Sequence, residues 1–287
     1  MSRMTDYMEN KLADFLRGQT LTLPSAWYFG LLSAASDSSV TELSGSGYAR
    51  QGLTRSLANY AGTQGAGTTL ASSGTSHTTS NNAALNFGTS GSAWGTANYA
   101  GMFDASTGGN CWAYIPLASA IVIGSGQAVS LAAASVAMTL GLSGGLTDYA
   151  SNKLIDLIWR AQSYTWPANL YAALYTAAPS NAGGGTECSG GSYARVGIAS
   201  SLSAWSGTQA PGSTVASSGT GGRISNNATL AYPSPTASWG TVSHEGLFDA
   251  ASAGNLIFWA ALAASRTVSS GSAPQTHPAD SLSITLA

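Results

Sequence analysis

Charged side chains are scarce in this sequence. Only 8% of the 287 residues are Asp, Glu, Lys or Arg, against about 25% in typical soluble proteins. Ten basic and twelve acidic residues give a formal net charge of −2. Such a chain has no basic field to attract nucleic-acid phosphates or an anionic membrane surface. We therefore expect no nucleic-acid partner.

Cysteines and long apolar segments are also few. Cys111 and Cys188 are too few for a disulfide framework or a zinc site, and we expect no bound metal. The most apolar segment, 115–142, is broken by proline, glycine, glutamine and serine, so it lacks the ~20 apolar residues that span a bilayer. No apolar core follows Arg3, and we expect neither a secretion signal nor membrane insertion.

Small and hydroxylated residues take the place of charge. The chain has 35 glycines and many Ser, Thr, Ala and Asn residues, yet 44% of it is hydrophobic, with 12 tyrosines, 8 tryptophans and 6 phenylalanines. Disordered chains are poor in apolar residues, because they cannot bury enough surface to offset the entropy of ordering. This composition indicates a folded protein with a neutral, hydroxyl-rich surface.

A long internal repeat organises the whole sequence. The motifs that recur in the same order are Thr-Asp-Tyr at 5 and 147, Asn-Lys-Leu at 10 and 152, Tyr-Ala-Arg at 48 and 193, Ser-Asn-Asn-Ala at 80 and 225, Trp-Gly-Thr at 94 and 239, and Phe-Asp-Ala at 103 and 248. A period of this size indicates a duplicated domain and is far too long for a solenoid unit. We place the domains at residues 1–143 and 144–287, and expect them to pack together because the connection is short.

Each repeat begins with a helix and continues as short strands. Thr5 and Thr147 are placed to cap helices whose apolar residues recur at helical spacing. The pattern then predicts strands at 27–32, 83–87, 99–103, 111–117, 127–131, 136–140 and 170–175. The polar tracts 62–79 and 207–222 are expected to be exposed loops. The fold class is therefore mainly β with minor α: two tandem β-sandwich or barrel-like domains, each opened by one α-helix.

Asp104 and Asp249 are carboxylates that recur in the same motif, which ends in Gly-Asn at Asn110 and Asn255. A catalytic role is one reading, but glycoside hydrolysis needs two carboxylates at a set separation, and no second carboxylate recurs nearby in sequence. The alternative is a tight turn between strands, in which the Asp and Asn side chains bond the local backbone. We favour structural turns at all four positions.

Arg50 and Arg195 recur in the Tyr-Ala-Arg motif of an otherwise weakly charged chain. Each guanidinium could bind a carboxylate or phosphate of a ligand with two hydrogen bonds. Each could instead pair with the glutamate eight residues earlier, Glu42 or Glu187. We favour the ion pair and keep ligand binding as the alternative.

Trp94 and Trp239 are further candidates for binding. An indole beside a glycine can expose a face to a sugar ring, although such a tryptophan more often covers the core where a loop enters a strand. The histidines do not cluster with cysteines or carboxylates as metal sites and catalytic triads require. No nucleotide-binding loop or nucleophile elbow occurs. We therefore predict that the chain is not an enzyme and has no metal or other cofactor.

The set of motifs resembles a family of small structural proteins of tailed bacteriophages, usually found singly as tail or virion proteins. The resemblance rests on the opening helix, Ser-Gly-x-x-Tyr-Ala-Arg, Asn-Asn-Ala, Trp-Gly-Thr-Val, Gly-Leu-Phe-Asp-Ala and the closing Leu-Ser-Ile-Thr-Leu. Residues 145–287 fit it better than the first repeat does. The resemblance implies a location in the virion and partners among other virion proteins.

These observations favour a structural virion component, tail-associated and involved in fibre attachment or formation. Capsid decoration is one alternative, and a carbohydrate-binding host-adhesion module that contacts a host surface glycan is another. The resemblance implies six-fold tails and three-fold fibres, between which a chain with two like domains could mediate. We therefore expect a homotrimer, or a multiple of three, with a pseudo-six-fold arrangement of domains.

Overall fold

The computed structural model of the chain describes residues 3–140, 142–143 and 145–286. One α-helix opens each repeat, α1 (Asp6–Leu16) and α2 (Asp148–Arg160). The hydroxyl groups of Thr5 and Thr147 accept hydrogen bonds from the backbone N–H three residues later, at 3.4 and 3.3 Å. Both threonines therefore cap their helices as the sequence predicts.

Antiparallel strands make up most of both repeats. The strands of the first repeat and the connection are β1 (Arg3–Met4), β2 (Ala26–Ala35), β3 (Val40–Glu42), β4 (Gln51–Thr54), β5 (Thr78–Ser80), β6 (Leu85–Thr89), β7 (Gly95–Phe103), β8 (Cys111–Ile123), β9 (Ala128–Leu131), β10 (Ala137–Thr139) and β11 (Leu142–Ser143). The strands of the second repeat are β12 (Asn169–Ala177), β13 (Thr186–Glu187), β14 (Val196–Ala199), β15 (Arg223–Ser225), β16 (Leu230–Ala231), β17 (Gly240–Phe248), β18 (Leu256–Val268), β19 (Thr276–His277) and β20 (Ser283–Leu286).

Both repeats are built on a sheet with the same strand order. The order is β1-β8-β7-β2-β3 in the first repeat, with β4 also on β2, and β18-β17-β12-β13 in the second, with β14 also on β12. The pairs β5–β10 and β6–β9 are matched by β15–β20 and β16–β19. The sheets curl into half-barrels, which confirms the predicted mainly β, barrel-like fold in two tandem repeats.

The longest strands run further than the sequence pattern predicts. The strand expected at 111–117 continues past Pro116 to Ile123. Proline is tolerated there because β8 is at the edge of the sheet beyond its short pairing with β1. Residues 117–120 face a single residue of β7, and residues 262–265 face a single residue of β17. Each edge therefore bulges outward, and we call residues 262–265 the β18 arc.

The two helices lie between the repeats. α1 contacts β8 of its own repeat and β20 of the other, while α2 contacts β18 and β5. Most of the buried apolar residues form one core cluster that runs through both repeats, and a smaller separate cluster lies in each repeat. The polar tracts 62–79 and 207–222 are largely loops, as predicted, but part of each lies against the helix of the other repeat. The predicted packing between the repeats is thus made mainly by the helices.

A buried arginine near the end of α2 binds the first repeat. The Arg160 side chain is fully buried, and it donates hydrogen bonds to the backbone oxygens of Tyr60 at 3.0 Å and Leu70 at 2.5 Å. It also donates to the carboxylate of Asp156 at 2.6 Å and to the hydroxyl of Ser72 at 3.0 Å. The charge is therefore paired and the donors are occupied, as burial of a guanidinium requires.

Arg17, just after α1 of the first repeat, binds the second repeat in the equivalent way. Its side chain is also fully buried and pairs with Asp14 at 2.9 Å. It donates to the backbone oxygens of Trp205 and Val215, both at 3.0 Å, and to the hydroxyl of Ser217 at 3.2 Å. We call the two arginines, with the groups that they bond, the arginine clasp.

An asparagine about two turns before each arginine makes a further contact with the opposite repeat. The side-chain amides of Asn152 and Asn10 donate to the backbone oxygens of Gly74 and Gly219, at 3.1 and 3.0 Å. A side chain at Gly74 would overlap the backbone oxygen of Thr63, and Gly219 is enclosed in the same way. Glycine is therefore required where each loop folds against the opposite helix.

The contact is reciprocal, and this fixes how the repeats are related. Equivalent residues of each repeat bind equivalent residues of the other, which is the property of a two-fold contact. A pseudo-six-fold ring needs unlike faces that meet at a sixth of a turn. The arginine clasp is a two-fold contact within one chain, and the expected pseudo-six-fold arrangement of domains between chains stays a prediction.

The contacts around the arginine clasp differ between the two helices. The indole N–H of Trp27 donates to the backbone oxygen of Ile158 at 3.0 Å, and Nε of Arg55 donates to the same oxygen at 2.7 Å. These two bonds fill the backbone oxygen of Ile158, which lies in the last turn of α2 and lacks a helical partner. The equivalent positions of the second repeat hold Leu170 and Ser200, so the first repeat holds the opposite helix with more donors.

Replacing Arg160 by alanine should lower the free energy of unfolding by about 3–5 kcal/mol, because it leaves a buried carboxylate without its charge partner. Urea denaturation at neutral pH measures the change. The matched control is Arg266→Ala at an exposed position, which should cost less than about 0.5 kcal/mol. A loss no larger than that of the control would contradict the role assigned to the clasp.

Candidate functional site

The arginines of the two Tyr-Ala-Arg motifs are bound by their own repeats. Arg50 donates to both oxygens of Glu42, at 2.9 and 2.7 Å, and Arg195 donates to both oxygens of Glu187, at 2.8 Å each. Each guanidinium also lies over a phenylalanine ring, 3.5 Å from Phe103 in the first repeat. The carboxylate of the chain thus occupies the fork that a ligand carboxylate or phosphate would need.

The same arginines also hold the turn that carries the recurring aspartates. Nη1 of Arg50 donates to the backbone oxygens of Ala105 and Gly108, both at 2.7 Å. In the second repeat, Arg195 donates to the equivalent oxygens of Ala250 and Ala253. The Tyr-Ala-Arg motif therefore ties a loop to the turn that joins β7 to β8 in the first repeat and β17 to β18 in the second.

Asp104 and Asp249 close that turn with Asn110 and Asn255. The backbone N–H of each asparagine donates to one carboxylate oxygen, at 2.7 and 2.6 Å, and its amide donates to the other, at 2.9 and 2.7 Å. Burial opposes ionisation of Asp104, but these hydrogen bonds outweigh it and hold its pKa below the ordinary value. Both carboxylates are therefore occupied as turn-forming groups.

Trp94 and Trp239 point into the core. Each is only 4% exposed, and each indole N–H donates to a backbone oxygen at 3.0 Å, that of Ser46 or Gly191. The edge of Tyr48 packs on Trp94 at 5.2 Å between ring centroids. Neither indole has a face open to a sugar ring, so the reading of these residues as stacking platforms requires correction.

The cysteines are not activated as nucleophiles, and the described residues contain no cluster that could hold a metal ion. Burial raises the pKa of Cys111 to about 12 and that of Cys188 to about 11, so both thiols are protonated at neutral pH. Within residues 3–140, 142–143 and 145–286, no group of three or more His, Cys, Asp or Glu side chains is placed to hold a metal ion. In the same part of the chain, neither helix has the length and apolar character needed to cross a membrane.

The second repeat contains a cavity with a buried Glu–His pair. The cavity has a volume of about 530 Å³ and lies between the β18 arc and residues 275–283. Glu245 and His277 both line it, and their side chains are 14% and 13% exposed. Nε2 of His277 is 3.1 Å from Oε2 of Glu245. Within the described residues, this oxygen still has no donor in hydrogen-bonding geometry.

The first repeat has apolar residues at the two equivalent positions. The strand registers place Ala100 at the position of Glu245, and Leu131 at that of His277. Ala100 is fully buried and Leu131 is 5% exposed. The fold therefore needs no ionisable group at either position.

Sequence reasoning missed this pair, although it had a usable signal. The two residues are 32 positions apart in the sequence, and pairing of β16 with β19 is what brings His277 into the cavity. The signal was the difference between Ala100 and Glu245, which stand directly before the shared Gly-x-Phe-Asp-Ala motif. An ionisable residue that replaces a buried apolar one in a duplicated domain indicates a position released from the needs of the fold.

Burial affects the pKa of both members of the pair. It raises the pKa of Glu245 to about 7 and lowers the pKa of His277 below its ordinary value. Each shift favours the uncharged form of its group. A protonated carboxyl and a neutral imidazole can together donate and accept hydrogen bonds within the cavity.

The fold and these sites define a duplicated, mainly β structural protein whose recurring polar residues bond its own backbone. A family model described as podophage GP4 fiber I protein gp80 matches residues 3–139 and again residues 145–285. The chain belongs to this family and is a phage fibre-related structural protein of the virion. Comparison with curated proteins finds no match. The division after residue 143 falls between the two matches and stays a prediction.

Replacing Glu245 by glutamine should stabilise the protein at alkaline pH. Because its folded pKa is raised from 4.5 to about 7, the stability contributed by its protonated form is present below about pH 4.5 and lost as the pH rises through 7. Glu245→Gln should therefore be more stable than the wild type by about 1–3 kcal/mol at pH 8, and by little at pH 5. Urea denaturation at both pH values measures this.

Thr241→Ala is a suitable control for that experiment, because Thr241 lies on the same strand at an exposed position. Its effect on stability should be the same at both pH values. Equal effects of Glu245→Gln at pH 5 and pH 8 would show that the carboxyl group is not held in its protonated form.

Proposed function

We propose that this chain is a subunit that helps to attach or form a tail fibre. The family match supports a fibre-related role, and the arginine clasp is the structural observation that supports an assembly role. It joins two like domains into one packed unit through fully buried charges. The low charge of the chain also suits contact with neighbouring virion proteins, because the centres of protein interfaces are depleted of charged residues.

We also propose that the chain forms a homotrimer, or a multiple of three. A half-turn within the chain combined with a three-fold axis between chains gives a closed assembly in which each repeat meets equivalent neighbours. The six domains then alternate in orientation around the axis. This arrangement keeps the expected trimer, and the pseudo-six-fold arrangement of its domains stays a prediction.

Light scattering of the purified chain should give about three times the chain mass of 28.8 kDa. A reconstruction of the virion with this chain labelled should then place it on the tail fibre or at its attachment point, on a three-fold axis. A stable monomer that occupies a site of neither three-fold nor six-fold local symmetry would contradict the proposal.

We infer that the chain has no enzymatic activity of its own. The recurring aspartates are held in turns by two asparagine donors each, and the two thiols are protonated at neutral pH. Incubation with host surface polysaccharide and with peptidoglycan should release no product. Turnover that the double variant Asp104→Asn, Asp249→Asn abolishes would overturn this inference.

A further inference from the structure

We propose that the cavity of the second repeat binds a compact polyhydroxylated ligand, a single sugar residue of a glycan, through Glu245 and His277. This inference goes beyond the structural role of the chain in a fibre. It concerns a site that the first repeat lacks, and the comparison of the two repeats is its main support.

The duplication provides an internal control for what the fold requires. At the positions of Glu245 and His277 the first repeat has Ala100 and Leu131, which pack in its core. Burying two polar side chains in place of two apolar ones costs free energy unless their hydrogen bonds are made. The pair is thus a feature that folding of this domain does not explain.

A third polar group of the second repeat lies beside the same pair and has an apolar counterpart in the first repeat. Tyr232 stacks on Tyr193 in the second repeat as Phe87 stacks on Tyr48 in the first, with ring centroids 6.4 Å apart in both cases. The hydroxyl of Tyr232 is buried and has no hydrogen-bond partner among the described residues. Its ring packs edge-on against His277 at 6.1 Å. Three positions that are apolar in the first repeat and polar in the second therefore cluster at one place.

The cavity has the size and lining of a small-molecule site. Its volume of about 530 Å³ lies within the range of about 300–1,000 Å³ that is usual for ligand pockets. One wall consists of the aliphatic side chains of Leu174, Val242 and Leu262, and Gln275, Ser281 and Ser283 supply amide and hydroxyl groups. Aliphatic walls suit the C–H faces of a sugar ring, and the polar groups suit its hydroxyls.

The hydrogen-bonding capacity left in the cavity favours an uncharged hydroxylated ligand. The side chains of Glu245 and His277 keep 14% and 13% of their surface exposed, and a carboxyl and an imidazole can exchange hydrogen bonds with a ligand hydroxyl. The cavity offers only two side chains that ligate metals well, Glu245 and His277, which is short of a metal site. Its one permanent charge is Arg266, which is exposed at the rim, so an anionic group would find no buried partner.

An array of immobilised mono- and oligosaccharides, covering neutral hexoses, 6-deoxyhexoses and N-acetylhexosamines, tests the proposal with the full chain. The decisive variant is Glu245→Ala with His277→Leu, which installs the residues of the first repeat and is expected to fold. Circular dichroism and urea denaturation check its folding. The wild type should bind at least one sugar class, and the double variant should bind it at least tenfold more weakly.

Binding by neither protein, or equal binding by both, would overturn the proposal. Thr241→Ala is a matched control in the same repeat, because Thr241 is exposed and does not line this cavity, and it should leave sugar binding unchanged. Light scattering on the same samples separates this result from the structural role. Loss of sugar binding with an unchanged oligomer concerns the cavity alone, whereas loss of the oligomer concerns the proposed assembly.

Discussion

The buried arginines between the repeats are the interaction on which the rest of the structure depends. A guanidinium can be removed from water only if its charge is paired and its donors are filled. Arg17 and Arg160 meet this condition only when the loop of the opposite repeat is folded around them, because backbone oxygens of that loop are their acceptors. The two repeats are therefore coupled in folding, although each has its own sheet.

This coupling explains how the second repeat can differ from the first without loss of the fold. The sheet registers, the turn with its Asp–Asn pair and the arginine on its phenylalanine are the same in both repeats. The differences lie around the cavity, where the second repeat has Glu245 and His277 at positions that are apolar in the first, and in the contact between the repeats, where Leu170 and Ser200 stand at the positions of Trp27 and Arg55. The two repeats thus share the contacts that hold each domain together and differ at the cavity and at part of the contact between them.

Much of the fold could be predicted from the sequence because its signals are local. Threonine caps, short apolar strands and turns with Asp and Asn act within a few residues of each other. The duplication then made these signals stronger, since a motif that occurs twice is hard to ascribe to chance. The paired Arg50 and Glu42 were predicted on the same ground, because eight residues separate them.

The parts that were not predicted depend on contacts between distant segments. Nothing local to Arg160 indicates that its acceptors lie about 90–100 positions earlier in the other repeat. Trp94 and Trp239 were offered as exposed binding residues and are buried. A local pattern could not decide this, since an indole next to glycine is compatible with both an exposed and a buried ring. Both rings are only 4% exposed, because each packs against the tyrosine and bonds a backbone oxygen of a loop 46–48 residues earlier.

Differential scanning calorimetry of the wild-type chain tests the central claim most directly. If the arginine clasp makes the two repeats one cooperative unit, a single transition is expected, and its calorimetric enthalpy should equal the van't Hoff enthalpy. Two separate transitions, each with about half of the total enthalpy, would show that the repeats unfold independently and would contradict the account.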